Sequence, residues 1–117
     1  MTLDEVKEIL DAEIIGGDEL GSATVTMACG ADLMSDVLAH IKEGSLLLTG
    51  LTNLQVIRTA EMANVEAICF VRGKRPSQET VELAVRSGIP LLATELPMFE
   101  SCGRLYKAKL PGCTRRD

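Results

Sequence analysis

The chain has 117 residues, enough for one domain with a hydrophobic core but too few for two. Aromatic residues make up only 3% of it and its formal net charge is −5. These values argue against stacking platforms for single-stranded nucleic acid and against general binding to nucleic acids or anionic membranes. No apolar run approaches the roughly 20 residues that span a bilayer, and the acidic start lacks the features of a signal peptide. We therefore expect a cytoplasmic protein with neither nucleic-acid nor membrane partners.

Apolar spacing, capping patterns and glycine stops predict an alternation of helices and strands. In chain order, the prediction is helix Leu3–Leu10, extended pair Ile14-Ile15, loop Asp18–Ser22, strand Thr24–Ala28, helix Leu33–Lys42 with Asp32 as N-cap, strand Ser45–Leu48, helix Gln55–Ala63, strand Val65–Val71, a helix from the Ser77 cap to about Ser87, strand Ile89–Ala93, helix Met98–Tyr106 and edge strand Lys107–Leu110. Repeated strand–helix units favour a parallel sheet with right-handed crossovers.

The fold class predicted from this order is α/β. We expect a single compact domain over residues 1–110, with a mainly parallel sheet and helices on both of its faces, followed by a C-terminal tail over residues 111–117. Val65–Val71 is nearly all apolar, as expected for a parallel strand that is covered on both sides.

The stretch Ser45–Ala63, SLLLTGLTNLQVIRTAEMA, is the centre of the functional prediction. It combines a buried strand, a small polar turn over Thr49–Asn53 and the start of a helix. α/β proteins often bind anions and nucleotides at such a place, because the first N–H groups of the helix are unpaired.

The carboxyl ends of parallel strands, where open α/β sheets bind ligands, supply the other candidates. Hydroxyls and backbone N–H groups there would donate to a phosphate, and the basic turn over residues 72–75 would supply positive charge. The predicted ligand-binding residues are Gly30, Thr49, Gly50, Thr52, Asn53, Arg58, Arg72, Gly73, Lys74 and Thr94. The alternative for the turn residues is ordinary turn chemistry, and for Arg58 it is a structural ion pair with Glu61 or Asp36.

Catalytic motifs are missing from the sequence. Neither the P-loop pattern G-x-x-x-x-G-K-[ST] nor the dinucleotide pattern G-x-G-x-x-G occurs, so a kinase or NTPase of the usual kind is not expected. Asp32, Ser35 and Asp36 are explained by capping and the helix dipole, and no histidine or third carboxylate accompanies them at a metal-ligand spacing. We predict no catalytic residue, no metal and no cofactor.

Four cysteines stand at positions 29, 69, 102 and 113, and none belongs to a C-x-x-C pair, so free thiols are expected. Cys29 and Cys102 are each followed by glycine and are candidates to converge at one rim of the sheet for a redox or iron–sulfur role. The alternative is that they are small buried hydrophobic residues, as expected for Cys69 in its core strand.

Several stretches resemble small stand-alone DRTGG-domain proteins, which are relatives of the N-terminal domain of HPr kinase/phosphorylase. They are ADLMSDVLAHIKEG, LLLTGLTNLQVIRTAEMA, ICFVRGKRP, IPLLAT and MFESCGRLY, and the resemblance extends over nearly the whole chain. It implies a compact α/β fold. Because such domains also occur within phosphate acetyltransferases and beside CBS domains, it further implies a regulatory or ligand-sensing role.

The chain departs from this family in its name-giving letters. Thr49-Gly50 is retained, but Leu51 stands where a second glycine would follow, and the catalytic domain of the kinase with its P-loop is absent. The resemblance therefore carries over no catalytic residue.

The predicted function is a non-catalytic regulatory module that binds a small phosphorylated or nucleotide ligand at the strand ends. The alternative is a protein-interaction or dimerisation domain without a small-molecule ligand. We expect a homodimer, because the exposed edge at Lys107–Leu110 would pair with a second copy, and a regulatory partner protein. An enzyme is disfavoured because no base–nucleophile pair or metal set is found.

Overall fold

The computed structural model describes residues 1–113, which fold as a five-stranded sheet flanked by helices. The elements in chain order are α1 (Leu3–Leu10), β1 (Glu13–Gly16), a 3-10 helix (Asp18–Leu20), β2 (Met27–Gly30), α2 (Met34–His40), β3 (Ser45–Thr49), α3 (Leu54–Met62), β4 (Ala67–Phe70), α4 (Gln78–Arg86), β5 (Leu91–Ala93) and α5 (Met98–Lys107). Each helix among these is too short to cross a bilayer.

The sheet has the strand order β1-β5-β4-β3-β2. The strands β2, β3, β4 and β5 run parallel to one another, whereas β1 pairs with β5 in the antiparallel direction. The predicted α/β class with a mainly parallel sheet is therefore confirmed.

Helices cover both faces of the sheet, as predicted. On one face, Leu3 and Val6 of α1 and Leu105 of α5 pack in the same cluster as Leu46 and Leu48 of β3. On the other face, residues of α2, α3 and α4 pack against the side chains of β3 and β4 that point the opposite way, such as Leu47 and Ile68. Burial of each large apolar side chain contributes roughly 1.5–3 kcal/mol, which fixes the sheet between its two helical layers.

The strand predicted over Thr24–Ala28 is displaced toward the C-terminus, to Met27–Gly30. Two of its β-branched residues, Thr24 and Val25, pair instead with the start of the chain. Thr24 forms an antiparallel bridge with Thr2, and the N–H of Val25 donates to the carbonyl of Met1 at 2.8 Å. β propensity therefore identified extended backbone there and missed its partner.

The predicted edge strand at Lys107–Leu110 is wrong. Helix α5 continues to Lys107, Lys109 adopts a left-handed conformation with φ of 77°, and the N–H of Leu110 donates to the carbonyl of Leu105 at 3.0 Å. The chain therefore reverses direction after α5. Leu105 and Leu110 are both buried in the same cluster, and their burial holds this turn against the core.

The chain then reaches the open edge of β2. The N–H of Ala28 donates to the carbonyl of Pro111 at 2.9 Å, and Gly112 forms a parallel bridge with Ala28. Residues 111–113 thus pack on the sheet. The rest of the predicted tail, with Arg115 and Arg116, lies outside the described residues.

Candidate functional site

The carboxyl ends of β2, β3, β4 and β5 lie side by side along one edge of the sheet. The loops that follow β2, β3 and β4 lead to α2, α3 and α4 on one face, whereas the loop that follows β5 leads to α5 on the other. The two directions separate between β4 and β5, where doubly wound folds open their ligand crevice.

In this protein backbone hydrogen bonds close that crevice. The N–H of Arg72 donates to the carbonyl of Leu96 at 2.8 Å, and the N–H of Gly73 donates to the carbonyl of Thr94 at 2.9 Å. Arg72 and Gly73 both have left-handed backbone, with φ of 58° and 70°. Glycine is favoured at position 73 because a side chain rarely adopts this φ, and a Cβ atom there would also displace the carboxylate of Glu95, whose Oε1 would lie 2.9 Å away.

A cavity of about 100 Å³ lies beside the basic turn, which we call the strand-end cavity. It is lined by residues that follow β2, β3 and β4 and by one residue of α5: Asp32, Gly50, Leu51, Val71, Arg72, Lys74 and Met98. The structure therefore brings together Gly50, Arg72 and Lys74 of the predicted site residues, and it adds Asp32.

The three cations of the basic turn differ in their surroundings. Arg75 is paired with Glu13, with 2.8 Å between Nη2 and Oε1. The side chains of Arg72 and Lys74 are exposed and have no hydrogen bond or ion pair with any of the residues from 1 to 113. Two unpaired cations at one cavity create a positive potential that favours an anion.

Asp32 accepts hydrogen bonds from Thr49 and Gly50, two of the residues that the sequence predicted as donors to a phosphate. Its Oδ1 atom accepts the N–H of Gly50 at 2.8 Å and the hydroxyl of Thr49 at 3.0 Å. The predicted N-cap role of Asp32 is wrong, because α2 begins at Met34 with Leu33 in the cap position. Sequence reasoning missed this role of Asp32 because its contacts depend on β2 lying next to β3.

Two further predicted hydroxyl residues are tied to the protein itself. Thr49 is buried, and its Oγ1 accepts the N–H of Leu51 at 3.2 Å. Thr94 is also buried, donates its hydroxyl to the carbonyl of Leu10 at 2.7 Å and accepts the N–H of Leu96 at 3.2 Å. The hydroxyl of Thr94 thus joins the end of α1 to the end of β5.

The remaining predicted residues are not among those that line the strand-end cavity. Thr52 and Asn53 lie in the loop before α3, and Asn53 takes the N-cap position without a side-chain hydrogen bond. Arg58 is exposed on α3, and neither of the expected ion pairs, with Glu61 or with Asp36, is formed. Gly30 lies at the edge strand, where α5 approaches it closely.

A second cavity, of about 320 Å³, lies between the edge of β2, α5 and residues 110–112, and we call it the edge groove. A Cβ atom at Gly30 would lie 2.8 Å from Sγ of Cys102 and 2.9 Å from Sδ of Met98, so the absence of a side chain lets α5 pack on β2. Cys29 and Cys102 both line this groove and so do converge at one rim of the sheet.

The chemistry of these thiols does not point to a reactive site. Burial raises the pKa of Cys29, which the neighbouring thiols of Cys113 and Cys102 raise further, and burial also raises the pKa of Cys102. Burial raises the pKa of Cys69 to about 12, as expected for a packing residue. Thiols with raised pKa are weak nucleophiles at neutral pH. Within residues 1–113, no group of three or more His, Cys, Asp or Glu side chains is placed to hold a metal ion.

Comparison with known proteins gives one family and one fold. The family model described as the DRTGG domain matches residues 5–108. Among solved structures, the chain is similar to the crystal structure of the CBS and DRTGG domains of the regulatory region of Clostridium perfringens pyrophosphatase, complexed with the activator diadenosine tetraphosphate. The TM-score is 0.74 at 22% identity, over 94% of this chain and 47% of that one. This chain therefore spans about half the length of that structure, and no curated protein sequence matches it.

Proposed function

This chain belongs to the DRTGG domain family, and from that premise we propose that it is a non-catalytic regulatory module that binds a small phosphorylated or nucleotide ligand. The binding site in this proposal is the strand-end cavity. The observation that carries the proposal is the pair of cations Arg72 and Lys74, which line this cavity without a partner among residues 1–113.

The size of the strand-end cavity limits what enters it. About 100 Å³ is well below the roughly 300 Å³ at which pockets for whole small molecules begin. We therefore assign the cavity to one phosphate group, which Arg72 would bind through its planar guanidinium and Lys74 through its ammonium. The rest of a nucleotide would lie outside, along the loop that contains Thr52 and Asn53.

The structural neighbour suggests which probes to use. The regulatory region of the pyrophosphatase is complexed with diadenosine tetraphosphate, an activator that carries several phosphates. A thermal-shift panel would therefore contain diadenosine tetraphosphate, nucleoside mono-, di- and triphosphates, sugar phosphates, acyl phosphates and inorganic phosphate. A ligand that binds the native state raises the melting temperature by mass action. A flat panel would favour the alternative function, and turnover of a panel member by the pure protein would overturn the non-catalytic assignment.

Calorimetry on variants tests the assignment of the cavity. In the double variant Arg72→Ala, Lys74→Ala, the stability should stay within about 0.5 kcal/mol of the parent, because both side chains are exposed. Its affinity for the best panel member should fall by roughly 1.5–3 kcal/mol for each charge-assisted contact removed. Arg75→Ala is the matched control and should keep its affinity, since Arg75 is already paired with Glu13. Affinity that survives the double change at low salt would place the ligand elsewhere.

A second candidate function is self-association or binding of a regulatory partner protein without a small-molecule ligand. It is favoured by the exposed aromatic side chains of α5, Phe99 and Tyr106. For either function we propose a cytoplasmic setting, which is supported by the free thiols of all four cysteines.

A further inference from the structure

Helix α5 carries two of the three aromatic side chains in the chain and exposes both of them. Phe99 is 87% exposed and Tyr106 is 75% exposed, whereas the third aromatic, Phe70, is fully buried. The two exposed residues are seven positions apart and therefore share one face of the helix. Because the chain has so few aromatic residues, their exposure on a single face marks an interaction surface.

Small residues lie between the two aromatic rings. Cys102 and Gly103 are three and four positions after Phe99, so they lie on the same face, and a Cβ atom at Gly103 would meet nothing within 4 Å. We call Phe99, Cys102, Gly103 and Tyr106 the α5 stripe. The stripe has large side chains at both ends and small ones in the middle, and all four of its residues line the edge groove.

The α5 stripe is symmetric in sequence about its midpoint. Phe99 and Tyr106 are equally far, in sequence, from the midpoint between Cys102 and Gly103. A two-fold axis at that midpoint would place Phe99 of one copy against Tyr106 of the second, with the small residues at the crossing. Helix axes approach more closely where the side chains at the contact are small. An isologous interface of this kind uses the same patch on both copies and closes after two.

The charges beside the α5 stripe fit the same arrangement. Glu100 lies in the first turn of α5, and Arg104 and Lys107 lie in the last. Arg104 already donates to the carbonyl of Ile9 at 3.3 Å, which leaves Lys107 as the basic group near the end of the helix. In an antiparallel pair, Glu100 of each copy would approach Lys107 of the other.

We propose that the α5 stripe is the interface of a two-fold symmetric homodimer, in which α5 packs antiparallel against α5 of a second copy. This inference deepens the self-association proposed above and rests on it.

Sedimentation equilibrium of the full chain at micromolar concentration is the first test. The parent should sediment as a dimer of the 12.6 kDa chain. Phe99→Glu and Tyr106→Glu should each raise the dissociation constant of the dimer at least tenfold while the circular dichroism spectrum is unchanged. Met62→Glu is the matched control, since it places the same charge at a 67% exposed apolar residue of α3 and should leave the dimer intact.

A charge exchange then tests the antiparallel orientation. Glu100→Lys and Lys107→Glu should each weaken the dimer at low salt, because each creates two like-charge contacts. An equimolar mixture of the two variants should form a heterodimer, since both contacts then join opposite charges. A mixture that stays monomeric would overturn the antiparallel arrangement.

The outcomes separate this inference from the proposals it rests on. A monomeric parent would overturn both the interface and the proposed self-association. A dimer that survives Phe99→Glu and Tyr106→Glu would overturn the interface but not the self-association. The edge groove would then be a site for another protein or an apolar molecule. Binding of the phosphorylated probes by Phe99→Glu is measured separately, because the α5 stripe is not part of the strand-end cavity.

Discussion

The carboxylate of Asp32 accepts the backbone N–H of Gly50 at 2.8 Å and so joins the loop after β2 to the loop after β3. The same oxygen accepts the hydroxyl of Thr49. The carboxylate of Asp32 therefore already accepts from neutral donors beside the strand-end cavity, while the side chains of Arg72 and Lys74 stay exposed to solvent. In the proposed function, the anion binds at the side of the cavity that Arg72 and Lys74 line.

The first prediction concerns the charge of Asp32. Asp32→Asn keeps an oxygen that accepts from Gly50 and Thr49 but removes the negative charge that repels an anion. We expect the affinity for the best phosphorylated probe to rise by about 0.5–1 kcal/mol, roughly two- to fivefold, as for other exposed charge pairs. Calorimetry at low salt measures it. Asp36→Asn, on α2 and not among the residues that line the cavity, should change nothing. An unchanged affinity in Asp32→Asn would mean that the anion does not bind beside Asp32.

The second prediction compares two buried threonines. Thr94→Val removes a hydroxyl that donates to Leu10 and accepts from Leu96, and it should lower the free energy of unfolding by roughly 1–3 kcal/mol because those backbone groups lose their partner. Thr59→Val is the matched control. Its hydroxyl is buried without a hydrogen-bond partner in the part of the chain that the structure describes, so this change should be neutral or stabilising. Urea denaturation measures both, and equal losses would contradict the assigned role of Thr94.

The basic turn and Thr94 show where sequence reasoning succeeds and where it fails. The sequence predicts the basic turn, because Arg72 and Lys74 adjoin an apolar strand within one short stretch. The role of Thr94 depends on a carbonyl 84 positions away, at Leu10. A hydroxyl at a strand end has the same local pattern whether it faces a ligand or a neighbouring helix.

The fold could be predicted further than the site, for a related reason. Helix α1, with its cap at Thr2, follows from residues within one turn of each other, and its predicted bounds are confirmed. Strand β2 follows from pairing, because Thr24 is bridged to Thr2 while Met27 pairs with Ser45. Local propensity favours extended backbone at the β-branched residues 24–26 and cannot tell which segment pairs with which partner.

The third prediction concerns the contact between α5 and β2. Gly30→Ala would place a methyl group 2.8 Å from Sγ of Cys102, so that a side chain of α5 must shift, and it should destabilise the protein by about 1 kcal/mol, the low end for overpacking. Gly50→Ala is the control, because its Cβ would lie 3.7 Å from the nearest atom, an ordinary contact, and its cost should stay within about 0.5 kcal/mol. Thermal denaturation compares the two variants.

A double change identifies the source of the loss at Gly30. If the sulfur of Cys102 is the obstacle, Cys102→Ala should recover part of the stability lost in Gly30→Ala. Losses that simply add would assign the strain to Met98 or to the backbone of β2 instead.

The fourth prediction is a pH dependence that arises at the start of α1. The backbone N–H of Thr2 donates to Oε1 of Glu5 at 2.8 Å, and this hydrogen bond is the main cause that lowers the pKa of Glu5 below its ordinary value of 4.5. A carboxylate with a depressed pKa stabilises the fold above the ordinary value, and its contribution is lost as the pH falls through the depressed pKa. The stability difference between the parent and Glu5→Gln should therefore be constant from pH 7 to about 4.5 and shrink below it.

Urea denaturation from pH 7 to pH 3 measures this difference, with Glu8→Gln as the control for loss of one charge on the same helix. A difference that stays the same at pH 3 would show that the hydrogen bond does not depend on the charge of Glu5.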